Sequence, residues 1–209
     1  MIRIITIERE YGSGGAAIGR ALASRLGWKL WDQELTREIA HRVHADVHDV
    51  ECREERCDPL FQRLVKTFLR GSFERSLPVS DTQILDAECM VDLMHDIIGE
   101  AAKEGNCIIV GRGAPYFLRG RDDTLHVFTY AIRDEKIRRV AESGKSVEEA
   151  ADMVDTIDQE RIHFIKKYFH ADWPSRHLYH LMLNTGVGDD MVTDLILHTM
   201  EQLNQKVQS

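Results

Sequence analysis

Ile4-Ile-Thr-Ile-Glu-Arg-Glu-Tyr-Gly-Ser-Gly-Gly-Ala-Ala-Ile-Gly-Arg-Ala-Leu22 carries the reading of this chain. A β-branched run gives way to four charged or aromatic residues, then to Gly12, Gly14 and Gly15, then to an amphipathic helical pattern. Strand, glycine loop and helix in that order are the parts of a phosphate cradle. Glycines let backbone N–H groups converge without a Cβ in the way, and the helix N-terminus adds partial positive charge. The cradle would consist of Gly12, Ser13, Gly14, Gly15, Ala16 and Ala17. The plainer alternative is that the glycines only turn the chain into the helix.

Two phosphate-binding patterns compete for this segment. Gly12-x-Gly14-x-x-Ala17 formally fits the dinucleotide fingerprint, and Asp32, after a second strand, lies about where a ribose-binding acid would. Glu8 to Tyr11, however, separate the apolar strand from Gly12, whereas a dinucleotide turn places its first glycine directly after the strand. The longer loop suits the large P-loop. Aligned on Gly12-Ser-Gly14, that pattern has Arg9 at its first glycine, Gly15 at its lysine, and Ala16 or Ala17 at its Ser/Thr.

Outward from this segment, short apolar runs alternate with helical patterns. Strands are expected at 3–8, 28–31, 107–110, 125–130 and 179–184, mostly as continuous apolar runs of the kind buried on both faces of a parallel sheet. Helices are expected at 16–26, 33–44, 82–103, 133–142, 146–169 and 190–205. The alternation predicts a three-layer α/β domain with a central parallel sheet of about five strands. Residues 1–209 are read as a single domain carrying two excursions. One, at 45–80, has Leu60, Phe61, Leu64, Val65, Phe68 and Leu69 at helical spacing; the other, at 146–175, is lid-like. Ligands of open α/β sheets bind at the carboxyl ends of the strands, which either excursion would roof.

Composition narrows the classes. The 209 residues are 43% hydrophobic and 30% charged, which is ordinary for a soluble globular chain. Lys plus Arg number 27 against 35 Asp plus Glu, a net charge of −8 that disfavours nucleic acid or an anionic membrane as partner. No stretch has the roughly 18 uncharged apolar residues of a spanning helix, and the start is too briefly apolar for a signal. Cys52, Cys57, Cys89 and Cys107 form no CxxC pair, so reduced thiols in a cytoplasm are expected. His41, His44, His48 and Cys52, with Cys57 beyond, are read as a solvated helix face rather than a zinc site. A homo-oligomer is compatible with these features.

Three further blocks, in order, give the chain a family resemblance. They are Cys107-Ile-Ile-Val-Gly-Arg-Gly113, His126-Val-Phe-Thr-Tyr-Ala-Ile-Arg-Asp-Glu-Lys-Ile-Arg-Arg139 and Asp155-Thr-Ile-Asp-Gln-Glu-Arg161, followed by Leu181-Met-Leu-Asn-Thr185. With the glycine loop they resemble the cytidylate-kinase-like proteins, relatives of bacterial cytidylate kinase among the P-loop nucleoside-monophosphate kinases. The resemblance covers nearly the whole chain apart from 45–80. It implies a P-loop NTPase fold, ATP and Mg²⁺ as cofactors, and phosphoryl transfer to a small acceptor, a nucleoside monophosphate such as CMP first. The chain also departs from the pattern. Gly113 replaces the aspartate of Gly-Arg-Asp, Val154 stands where cytidylate kinase has an arginine, and Gly15 replaces the lysine. Ala16 stands where the kinase-like branch commonly has arginine.

Phosphoryl transfer needs two substrates held in line and positive charge on the moving oxygens. Without the lysine, arginines must supply that charge, and their planar forks suit phosphate. Arg9, Arg139 and Arg161 are the catalytic candidates; Arg138 and Arg139 are the weaker ones, since adjacent residues on a helix do not face the same way. Asp32, Arg112, Asp158 and Arg161 are the acceptor candidates. By resemblance, Asp158 would bond a base amino group and Arg161 the acceptor phosphate; an i,i+3 ion pair is the plainer account. Asp32 serves equally as a helix N-cap. No side chain is assigned to the metal, which phosphates and water would hold. A non-catalytic nucleotide sensor on the same fold and an NAD(P)-dependent oxidoreductase are the rival readings.

Overall fold

In the computed structural model, residues 1–32, 34, 35, 37, 38, 41, 42 and 87–208 are described. Five parallel strands form one sheet: β1 (Ile4–Arg9), β2 (Lys29–Trp31), β3 (Cys107–Val110), β4 (Thr124–Tyr130) and β5 (Leu181–Asn184), in the order β2-β3-β1-β4-β5. The helices are α1 (Gly15–Leu26), α2 (Ala87–Glu104), the short α3 (Ala114–Phe117), α4 (Arg133–Ala141), α5 (Val147–Phe169) and α6 (Asp189–Gln208). Of the helix expected at 33–44, the described residues Glu34, Leu35, Arg37, Glu38, His41 and Arg42 are helical. The 45–80 excursion, with His44, His48, Cys52 and Cys57, lies outside the described residues.

Alternation along β1 builds the layers. Ile4 packs with Ile97, Ile98, Ile109, Phe128, Phe164 and Ile165 beneath α2 and α5. Ile5 and Ile7 pack with Ile18, Leu22, Val110, Val127, Val192 and Ile196 beneath α1 and α6. All six β1 residues are buried, as the continuous apolar reading of an inner parallel strand requires. The strand runs one residue past its expected end, because Glu8 and Arg9 pair in register with Phe128 and Thr129 of β4. The polarity of Arg9 hides it from an apolar search, yet it belongs to the sheet. At the far end of α5, Ser146 and Glu149 form a reciprocal capping box that fixes where that helix starts.

Near the amino end of β4 lies a buried histidine. Thr6 Oγ1 and His126 Nδ1 are 2.8 Å apart, and the His126 ring stacks on His180 at 5.4 Å between centroids. Burial, with the charge of His180 behind it, lowers the His126 pKa from 6.5 to about 4. The fold thus keeps the ring neutral, while the unfolded chain takes up a proton below pH 6.5. Stability is therefore lost as the pH falls from about 6.5 towards 4. Urea midpoints measured at pH 7 and pH 5 are expected to drop, and His126→Gln to flatten the drop. An equal drop in the variant would remove His126 as its source.

Candidate active site

The carboxyl end of β1 leads into the glycine loop, and the loop into α1. Gly14, at φ +83°, forms the N-cap of α1 in the left-handed region, and a Cβ there would strike the Arg139 guanidinium. No side chain caps this helix end, and its first turn holds no acid. In its first turn the Ala17 N–H donates to the Gly14 carbonyl at 2.9 Å, while those of Gly15 and Ala16 have no acceptor within the helix. They face a cleft of about 410 Å³ lined by Gly12, Gly14, Gly15, Ala16 and Ala17, with Arg9, Arg20, Arg139 and Arg161 around them. Glu10 and Glu142 also line the cleft, so arginines outnumber acids four to two around an uncapped helix start, an arrangement that favours an anion.

Ser13 is placed otherwise than its cradle role suggests. It is fully buried, its hydroxyl donates to the Glu10 carbonyl at 2.9 Å, and it sits 3.2 Å from Thr129 Oγ1. The hydroxyl therefore fastens the loop to β4 and does not line the cleft. Arg139 reaches in from α4. It donates to the carbonyls of Ser13 and Thr185, each at 3.3 Å, and to Asp189 Oδ1 at 2.9 Å, so it joins the loop to the start of α6.

A second polar group lies beside the cleft, beyond Arg9. The Arg9 stem packs against Gly15, and its guanidinium occupies the space where a Gly111 Cβ would be. Arg112, Asp32 and Glu8 are all buried nearby, and Asp32 Oδ1 has no hydrogen-bond partner among the described residues. Burial and then Arg161 pull the Arg9 pKa down to about 10, against Glu8 and Asp32. Burial and then Arg9 pull Arg112 down to about 9. Three guanidiniums that oppose one another's charge in a buried site would be relieved by an anion.

Arg161 links the two groups. Its Nη1 donates to the Arg9 carbonyl at 2.7 Å and to Asp158 Oδ1 at 3.2 Å. Asp158 is already engaged by the protein: Oδ1 also accepts the Tyr11 N–H at 2.8 Å, and Oδ2 lies 3.2 Å from Lys136 Nζ. The carboxylate expected to face a base is thus tucked under the loop. Arg138, by contrast, pairs outside with Glu142 and Glu135.

Sequence reading missed Arg20, Glu8 and Lys136. Arg20 had a legible signal, since it stands four residues after Ala16 on the same helix face. Glu8 and Lys136 had none, because nothing local marks a charged residue as buried.

The chain matches the cytidylate kinase-like family over residues 4–187, and it belongs to that family. None of the curated proteins matches it. Among solved structures, an uncharacterized protein from Eubacterium ventriosum aligns at 24% identity over 97% of this chain and 99% of its own, with a TM-score of 0.67. A Thermus thermophilus protein aligns at 19% identity over 96% and 97%, with a TM-score of 0.50. A shikimate kinase from Bacteroides thetaiotaomicron covers 100% of both chains at 17% identity, but its TM-score of 0.48 is too loose to argue from. The fold is a kinase-like P-loop α/β fold. Its order, β2-β3-β1-β4-β5, also differs from the 3-2-1-4-5-6 order of dinucleotide folds, which removes the ground for the oxidoreductase reading. Among the described residues, no helix is long and apolar enough to cross a membrane.

Proposed function

We propose that this chain transfers the γ-phosphoryl group of ATP, with Mg²⁺, to a small acceptor, a nucleoside monophosphate and CMP first. The observation that carries the reading is the arginine-ringed cleft at the open N-terminus of α1, with the Arg9, Arg112 and Arg161 group directly beside it. One set suits a triphosphate and the other an acceptor phosphate, and Arg9 and Arg161 belong to both. In-line transfer needs that adjacency, with positive charge where the moving phosphoryl passes.

The residues fit a triphosphate better than they fit a metal. Backbone N–H groups of α1 with Arg20 and Arg139 would hold the phosphates. Ala16 and Ala17 bring no hydroxyl to the cleft, and the Ser13 hydroxyl faces β4. Among the other oxygen-bearing side chains in the lining, Glu10 pairs with Lys136, Glu142 with Arg138, and Ser143 donates to the Val140 carbonyl. Bound Mg²⁺ would therefore be carried by phosphate oxygens and water, and it would neutralise charge on the transferring group. Arg9 and Arg161 are read as the groups at the moving phosphoryl, and Arg112 and Asp32 as acceptor contacts. Residues 1–209 act in this reading as one domain.

The purified chain with ATP, Mg²⁺ and a panel of nucleoside monophosphates, followed by ³¹P NMR, tests it. Acceptor-dependent formation of a diphosphate is expected, fastest with CMP. Saturable ATP binding with no product from any nucleoside monophosphate would overturn that acceptor assignment, CMP included, and leave another class of acceptor or the non-catalytic sensor. The missing lysine and hydroxyl support the sensor.

A further inference from the structure

Lysine is among the side chains least often buried, yet Lys136 on α4 is only 9% exposed. Its Nζ lies 3.0 Å from Glu10 Oε2 in the loop and 3.2 Å from Asp158 Oδ2 on α5. One ammonium thus joins three segments. Asp158 carries the contact onward to the Tyr11 N–H, while Arg161 ties the Arg9 carbonyl to the same carboxylate. Main chain adds to this, because the Lys136 carbonyl lies 2.8 Å from where a Gly12 Cβ would be. Burial works against the lysine's charge, but Asp158 and Glu10 outweigh it and hold the pKa above the ordinary lysine value. Lys136 does not line the cleft.

We propose that Lys136 is a positioning residue that clamps the glycine loop to α5, so that the loop's grip on a triphosphate depends on a side chain that touches no ligand. Without the ammonium, Glu10 and Asp158 are left as like charges on one site, with Arg161 alone offsetting Asp158. The Tyr11 N–H bond then loses its support, and the loop is released from α5. Neutralising Glu10 as well removes the repulsion, and arginine at 136 restores a cation. A residue that merely fills space would respond to neither change. The inference rests on the proposed function only for its binding arm.

The test compares the full chain as wild type, Lys136→Met, Lys136→Arg and Lys136→Met/Glu10→Gln. Amide hydrogen exchange is followed by NMR, and Mg·ATP is titrated in parallel. In Lys136→Met the Tyr11 amide is expected to exchange about tenfold faster or more, with Val127 and Phe128 of β4 unchanged. Lys136→Arg should stay within about threefold of wild type, with the double variant between the two. The Kd for Mg·ATP should follow the same order. Unchanged Tyr11 exchange in Lys136→Met would overturn the clamp, as would equal acceleration at β4, which would mark a general loss of stability. If the wild type fails to bind Mg·ATP while Tyr11 responds in the stated order, the proposed function falls and the clamp stands.

Discussion

Restoring a lysine at position 15 is expected to damage the protein rather than improve it. In an intact P-loop this position carries the phosphate-gripping lysine, so Gly15→Lys looks like a repair. A Cβ on Gly15, however, would lie 2.8 Å from Thr129 Oγ1 and 2.9 Å from Arg9 Cβ. Neither neighbour can withdraw easily. Thr129 is fully buried beside the Ser13 hydroxyl, and Arg9 is held opposite it in the β1–β4 register. Overpacking of this kind costs about 1–3 kcal/mol, or more where main chain must shift. The thermal midpoint should fall by about 2–12 °C, at the 2–4 °C per kcal/mol expected for a domain of this size. Mg·ATP binding, measured by calorimetry, should weaken by about tenfold or more as the loop is displaced. A variant that binds ATP more tightly at an unchanged midpoint would show that the loop opens freely. The arginines would then be no replacement for the lysine.

The second large effect is expected at Arg161. Truncation to alanine removes the donor to the Arg9 carbonyl and one cation from Asp158, both buried contacts. Breaking a buried pair by removing one partner costs about 3–5 kcal/mol, much of it from the charge left behind. Here Lys136 still neutralises part of Asp158, so the lower end applies. With the assay established on the preferred acceptor, kcat/KM should fall about 100-fold, the kinetic equivalent of roughly 3 kcal/mol. Arg161→Lys should recover only part, because an ammonium lacks the fork that serves a carbonyl and a carboxylate at once. A loss below about threefold in Arg161→Ala would remove the residue from the reaction.

The three inner strands were legible because buried parallel strands are written largely as apolar runs, as in Cys107–Val110, whereas the rim strands β2 and β5 are only partly buried. What fell outside the apolar pattern fell outside the reading. Arg9 ends β1, one residue past the expected strand, because β4 continues beside it, a fact stored in residue 129. The site divides in the same way. Its arginines could be picked out, since guanidinium at the carboxyl ends of strands is what phosphate chemistry requires. Their partners could not: Asp158 meets Tyr11 across 147 positions of sequence. An i,i+3 spacing suggested a pair with Arg161 without suggesting that both reach the main chain at the end of β1, Arg161 at Arg9 and Asp158 at Tyr11. Ser13 is the same lesson in reverse. Its place between glycines suggested a ligand contact, and only the approach of Thr129 shows the hydroxyl facing inward.

The central place of β1 in the sheet has a consequence for how the molecule wears under stress. Two strands flank it on the β3 side and two on the β4 side. On warming, fraying starts at the rims, β2 and β5, where one ladder is missing, and moves inward. The glycine loop grows from the strand that this erosion reaches last. Partly melted molecules therefore retain the loop-bearing end of β1 after their margins have come apart, so loss of any binding there should track collapse of the whole sheet rather than precede it.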